Sequence, residues 1–326
     1  MKYPTIVTAL YNINSKYKSI DKYIELANKF LFTLPYPIII YTDNDEILRQ
    51  YIKPNICIYQ INFNDTYYYK YYDDLCKLQK QFVIKNVNPI KDTISYFILT
   101  YNKFFFIENA ISNNPFMSSH FIWIDFGINH VALQLKNIHN IMNNIPDKIK
   151  QLCINPYLEN TLPKEYFEYL YHSFAGGLFS GSIHYLSLYC SQFKNKLNHI
   201  IKIEKWYTLE QEISCLIYRD SPHLFDLYFG DFQDIISNYI KPVNGFDIMY
   251  SVLKKSLTYN NIMLTYHLCN YLDLYYDSNF YNKVNDLFFY YIYSNILCNY
   301  YCNNKKLKTN IITMITPFSL KNGTVI

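Results

Sequence analysis

Three apolar runs in this sequence end on polar residues: Thr8-Ala9-Leu10-Tyr11-Asn12, Tyr41-Thr42-Asp43 and Trp123-Ile124-Asp125-Phe126-Gly127. A carboxylate closing a buried strand and followed by glycine can reach a metal ion or a ribose while the backbone turns beside it. A further stretch, Ala175-Gly176-Gly177-Leu178-Phe179-Ser180-Gly181, holds three of only seven glycines. That cluster predicts a loop whose backbone approaches a ligand closely. Trp206-Tyr207-Thr208-Leu209-Glu210-Gln211 adds Glu210, a carboxylate able to act as a general base. Each has a plainer reading. Asp43, three residues before Glu46, suits a helix cap, and Asp125 suits a turn. Thr208 with Gln211 has the spacing of a capping box, which leaves Glu210 a first-turn carboxylate favoured by the helix dipole.

The elements that must position these residues follow from periodicity. Ile6 to Leu10 is a β-prone run. Ile20, Tyr23, Ile24, Ala27, Phe30, Leu31 and Leu34 then recur at helical spacing behind Ser19 as N-cap. Pro35 and Pro37 end that helix, and Ile38 to Tyr41 reads as a strand buried on both sides because nothing alternates. A short helix from Asp45, a strand at 56–61 and helices at 74–86 and 93–113 follow. Asn114-Pro115 closes the last before the strand Phe121 to Ile124. Alternating strands and helices with continuous apolar strands predict an α/β fold, a mostly parallel sheet with helices on both faces. In such sheets ligands bind beyond the carboxyl ends of the strands. Helices near 135–144 and 183–193 continue the pattern. Lys241-Pro242-Val243-Asn244-Gly245 marks a boundary, so 1–245 is expected to be the functional domain and 246–326 a helical C-terminal extension.

Composition excludes several classes. Apolar residues make up 50% of the 326 and charged residues 17%, which describes a globular chain rather than a disordered one. A net charge of +4 with only Arg49 and Arg219 as arginines gives no stripe for nucleic acid. Neither G-x-G-x-x-G nor G-x-x-x-x-G-K-[ST] occurs, which disfavours a dinucleotide fold or a P-loop. The eight cysteines are scattered, Cys298 and Cys302 being the closest pair, and point to reduced thiols in a cytoplasmic compartment. No export signal precedes Asn12, and the most apolar stretch, Leu287 to Cys302, carries Ser294, Asn295 and Asn299, so no membrane span is expected. The thirty-seven tyrosines accompany heavy Asn, Ile and Lys usage and read mainly as packing.

Taken in order, Thr5-Ile6-Val7-Thr8-Ala9-Leu10-Tyr11, Tyr41-Thr42-Asp43, Asn114-Pro115-Phe116 leading to Trp123-Ile124-Asp125-Phe126-Gly127-Ile128, Phe174-Ala175-Gly176-Gly177, and Tyr228-Phe229-Gly230-Asp231-Phe232 through Asn238-Tyr239 resemble the HtrL/YibB family, the WlaTC-type glycosyltransferases of bacterial surface-glycan clusters. The resemblance spans about residues 3–245. It implies a GT-A-like nucleotide-sugar fold in which the first strand end (Thr8, Ala9, Tyr11) and Asp43 hold base and ribose. The segment around Asp125 and Gly127 takes the place of a metal-binding D-x-D motif, and the glycine loop (Gly176, Gly177, Phe179, Gly181) faces sugar or acceptor. Gly127 stands where D-x-D has its second carboxylate, so Asp125 alone would anchor Mn²⁺ or Mg²⁺.

The resulting expectation is an enzyme, a hexosyltransferase-like glycosyltransferase. It would move a sugar from a nucleotide-diphosphate sugar to a hydroxyl on a glycan, lipid-linked or protein acceptor. Glu210, or else Asp231, would take the acceptor proton. The metal at Asp125, with Lys103 as the lesser candidate, would neutralise the leaving diphosphate. The alternative is a catalytically inactive GT-A-like protein that binds sugar or serves structurally, favoured if the missing second carboxylate reflects lost metal binding. A nucleotidyltransferase ranks last, because Thr8 to Asn14 contains neither glycine nor arginine.

Overall fold

The computed structural model describes residues 3–13, 18–158, 166–259 and 261–274. Within them the chain runs β1 (Thr5–Leu10), α1 (Ile20–Lys29), β2 (Ile38–Thr42), β3 (Ile56–Gln60), α2 (Tyr72–Gln81), α3 (Ile94–Asn113), β4 (His120–Ile124), α4 (Ile138–Asn143), β5 (Ile149–Cys153), β6 (Phe174–Ser182), α5 (Ile183–His199), α6 (Glu210–Asp220), β7 (Phe225–Phe229), α7 (Phe246–Thr258) and α8 (Ile262–Asp273). The strands form one sheet in the order β3-β2-β1-β4-β6-β5-β7. All pairings are parallel except those of β6, which runs antiparallel to β4 and β5. The mostly parallel sheet read from the sequence is therefore present.

The central strands follow from their composition. Ile38, Ile39 and Ile40 are β-branched and fully buried, each worth about 1.5–3 kcal/mol of burial. Thr93 caps α3 by accepting from the Tyr96 amide, and Asn114, at φ +34°, ends it in the left-handed conformation that asparagine tolerates. Between those ends α3 is apolar nearly all round and buried, with Phe97, Tyr101, Phe104, Phe106 and Ile107 inside. It packs against β1, β4 and α5, so any polar residue on it must find its partners in the interior.

Several expected elements shift. α1 stops at Lys29, and 31–33 is a 3₁₀ turn. The segment from Asp45 is 3₁₀, and α2 covers 72–81 rather than 74–86. The glycine segment is not a loop: it is β6. Residues 246–274 are not set apart from the sheet. α8 packs on β7, where His267 Nδ1 accepts from the Leu227 amide at 3.5 Å, and the Tyr271 hydroxyl donates to the Asn238 carbonyl. One compact unit runs Met1–Leu274. Gly245, at φ +70°, starts α7 in a conformation a side chain would strain. The expected third C-terminal helix, the Leu287–Cys302 stretch and the Cys298/Cys302 pair lie outside the described residues. Among those described, the cysteines are unbridged and no helix is long and apolar enough to cross a membrane.

Candidate active site

Because β1, β2 and β4 are parallel, Tyr11, Asp43 and Asp125 all follow strand ends at one edge of the sheet. The antiparallel β6 brings its amino end, with Gly176 and Gly177, to the same edge, and the Asp125 amide donates to the Gly177 carbonyl at 2.9 Å. The chain winds from β1 out to β2 and β3 and returns on β1's other side as β4. The point between β1 and β4 is thus the topological switch, where open α/β sheets leave a crevice.

At that crevice three residues distant in sequence meet. Lys103 of α3 extends its ammonium into the edge and contacts Glu210 Oε1 at 2.9 Å, Asp125 Oδ1 at 3.1 Å and the Gly176 carbonyl at 2.9 Å. Three acceptors occupy its three N–H groups. The Lys103 and Glu210 side chains are each 7% exposed, whereas Asp125 is 42% exposed and faces the opening. Burial pulls the ammonium's proton affinity down, the Asp125 and Glu210 carboxylates push it up, and the balance lies above its ordinary value. Trp123 Nε1 donates to the same Asp125 Oδ1 at 2.7 Å and fixes that carboxylate's orientation.

Glu210 is held in place by the first turn of α6. Tyr101, two residues before Lys103 on α3, donates to the Thr208 carbonyl at 2.5 Å, so one helix pins the start of the other. A Cβ on Gly176 would lie 2.1 Å from Glu210 Oε1. The glycine is there for the carboxylate's approach to the sheet, and a positive φ has no part in it. The expected capping box is not formed: the N-cap is Leu209 without a side-chain bond, the Thr208 hydroxyl has no partner, and Gln211 turns its amide to His172 Nδ1 at 2.8 Å.

Other groups gather around the same edge. Tyr96 has its phenol held well above the ordinary value, first by burial and then by the Glu210 and Asp125 carboxylates. Lys91 Nζ lies 5.0 Å from the Tyr96 ring centroid and Lys18 Nζ 5.2 Å from that of Tyr23. His172 takes φ +53°, and its amide is gripped by Glu212 Oε1 at 2.6 Å. Burial, then Lys91, lower its imidazole against the raising pull of Asp92 and Glu210, which favours the neutral ring. Sequence reading missed Tyr96, His172, Lys91 and Lys18. Of these, only Lys18 lies beside a signal, the N-cap Ser19.

Of the expected site residues, Asp125, Gly176, Gly177, Lys103 and Glu210 come together. Lys103 is committed to the two carboxylates and does not face the opening as a phosphate ligand would. Thr8 is fully buried in mid-strand with its hydroxyl unpartnered, and Ala9 is part-buried beside it. Tyr11 is buried, stacks on Phe106 with centroids 5.7 Å apart and donates to the Ile61 carbonyl. Asp43 follows β2 at the same edge. Its carboxyl is raised by burial, and the helix cap foreseen for it is not made, since the N-cap of the 3₁₀ turn Glu46–Tyr51 is Asp45. Phe179 lies in the core, stacked between Phe104 and Trp123, and Gly181 pairs with Phe121 at the opposite end of β6 against the backbone of Asp147 and Lys148. Neither faces the crevice. Gly127, at φ −111°, is not a sharp-turn glycine; a Cβ there would meet the Tyr23 ring at 3.0 Å, so α1 packs onto it. Asp231 caps the turn at 232–235 in a reciprocal box with Asp234.

The donor set does not fit the expected divalent ion. Among the described residues no three His, Cys, Asp or Glu side chains converge as ligands. Asp125 Oδ1 already accepts from an indole and an ammonium, the second D-x-D position is Gly127, and a positive charge stands 3.1 Å from the one candidate ligand.

Over residues 3–240 the sequence matches the family described as "Bacterial protein of unknown function (HtrL_YibB)". The chain belongs to that family. No curated protein matches it. Among solved structures, mouse xyloside xylosyltransferase 1 in its apo form aligns with a TM-score of 0.35 and 10% identity over 74% of this chain and 94% of its own. The galactosyltransferase LgtC, in complex with donor and acceptor sugar analogues, aligns with a TM-score of 0.37 and 10% identity over 70% of this chain and 73% of its own.

Proposed function

We propose that this chain is a glycosyltransferase of GT-A-like fold that moves a sugar from a nucleotide-diphosphate sugar to a hydroxyl acceptor in glycan synthesis. The observation that carries the reading is the meeting of Asp125, Lys103 and Glu210 beside the β1–β4 switch point, the part of such a sheet where a nucleotide ligand is expected. The sequence resemblance described above points the same way. In this reading Asp125, the exposed carboxylate, accepts hydrogen bonds from donor-sugar hydroxyls. Glu210 accepts the proton of the acceptor hydroxyl as its oxygen bonds the anomeric carbon, and the carbon–oxygen bond to the diphosphate breaks with its electron pair on the leaving group. Lys91 and Lys18, at the rim, offer positive charge to that diphosphate.

The test is release of nucleoside diphosphate from a panel of nucleotide-diphosphate sugars, with and without saccharide acceptors. Glu210→Gln should lower kcat by roughly 10²–10⁴-fold, and Asp125→Asn should chiefly raise KM for the donor. Asp231 is the second candidate base. Asp231→Asn preserves the cap, since asparagine caps as well as aspartate, so a loss of turnover in that variant with none in Glu210→Gln would transfer the role. Binding of a nucleotide sugar without turnover under any condition would favour the inactive sugar-binding alternative.

A further inference from the structure

We infer that the Asp125 cleft is built to work without a resident divalent cation, because the Lys103 ammonium already stands in the cation's place between Asp125 and Glu210. A metal in a site of this kind would bridge the two carboxylates and take further oxygens from backbone and substrate. Lys103 does the protein's share of that. It contacts one oxygen of each carboxylate and the Gly176 carbonyl, all within 3.1 Å, and its side chain is buried. The Trp123 ring, with its centroid 5.8 Å from Nζ, lies alongside, as a cation favours. Two features of the surrounding chain are those of a lysine site. Gly127 brings no second carboxylate and is covered by the Tyr23 ring, so no ligand is available where an ion would need one. The indole bond to Asp125 Oδ1 loads with a second donor the same oxygen that the ammonium contacts. A fixed ammonium holds the carboxylates in one geometry in every step of turnover, whether or not free metal is present.

The inference deepens the proposed transfer reaction and rests on it for what the cation would do there. Its test needs no donor. Wild type, Asp125→Asn and Lys103→Ala are titrated with Mn²⁺, following bound metal by electron paramagnetic resonance and thermal midpoint in parallel. Wild type should show no saturable Mn²⁺ binding dependent on Asp125, and its midpoint should be the same in Mn²⁺ and in chelator. Lys103→Ala, with the two carboxylates left facing an empty position, should gain a Mn²⁺-dependent rise in midpoint.

Saturable binding to wild type that Asp125→Asn abolishes would overturn the inference. So would a folded Lys103→Ala that takes up no Mn²⁺, since the ammonium would then not be occupying a cation's position. Should Lys103→Ala fail to fold, the comparison of wild type with Asp125→Asn decides alone. Failure of the transfer reading is separately visible as absence of turnover with every donor, in chelator and in metal alike.

Discussion

Glu210 and Glu212 are two residues apart at the start of α6, and the fold treats them oppositely. Glu210 faces the crevice and is matched by a lysine that also holds Asp125. Glu212 is fully buried and meets neutral donors instead: the Tyr166 hydroxyl at 3.0 Å, the Ser173 hydroxyl at 2.6 Å and the His172 amide at 2.6 Å. Burial raises its carboxyl above the ordinary value of 4.5, and the hydrogen bonds recover only part of that. The first pocket fixes charge where a ligand can meet it. The second fixes shape, keeping His172 at φ +53° beside Gln211. One pocket should therefore fail when its cation is removed and the other when its backbone contact is removed.

The largest effect is expected at Lys103. Lys103→Met retains most of the stem's packing but leaves Glu210 buried without a counter-charge, and breaking a buried pair in this way costs about 3–5 kcal/mol. Urea unfolding of Lys103→Met, Glu210→Gln and the double variant measures it. The double variant should be clearly more stable than Lys103→Met, because the unmatched charge is gone. If Lys103→Met unfolds at the wild-type urea concentration, solvent compensates Glu210 and the contrast between the pockets disappears.

Gly176→Ala comes next. The new methyl would sit 2.1 Å from Glu210 Oε1, so the carboxylate must leave its place. Overpacking of this kind costs about 1–3 kcal/mol. Gly177→Ala is the control: its methyl meets the end of the Ile128 side chain at 2.8 Å, which a rotamer change relieves. Equal loss of turnover in the two would mean that the strand, and not the Glu210 position, is what the glycines protect.

How much of this was legible in the sequence depends on how local each signal is. The strand ends were readable because continuous apolar runs stop abruptly at Asn12, Asp43 and Asp125. The order of elements followed for the same reason. Each member of the central trio was named from the sequence, but their direct contact was not readable, since 103, 125 and 210 come from three segments that only the sheet brings together. Lys103 did leave one trace, a single charge in the run Tyr101 to Phe106, on a helix apolar nearly all round. A charge there must be paired in the interior. The glycine segment was misread because glycine marks a loop and a close approach alike. Here the approaching group is the protein's own Glu210, and β6 continues straight through. His172 carried no signal, its position being set by a carboxylate forty residues away.

The smallest predicted effect separates the pockets by pH. Lys103 is held above its ordinary value of 10.5. The stability tied to its proton is complete at lower pH and fades only as pH rises through the folded-state value, so it adds no slope near neutrality. Glu212 behaves differently. Its folded-state carboxyl holds a proton more tightly than the unfolded chain's, so its contribution to stability falls as pH rises from about 4.5 through the raised value and stays lost above it. His172 and His267, both lowered, the latter by burial to about 4, slope the other way and favour the fold as pH rises. The raw profile therefore mixes signs, and the difference between wild type and Glu212→Gln isolates the carboxyl. Glutamine retains an acceptor for the His172 amide, and its amide group can donate to hydroxyls that accept as readily as they donate, so the change itself should cost only about 1 kcal/mol. Relative to wild type, the variant should gain stability steadily with pH across the acid range, read as unfolding free energy at a series of pH values. A difference that does not change with pH would mean that Glu212 titrates like an exposed carboxylate, and that the second pocket is not the sealed one its contacts describe.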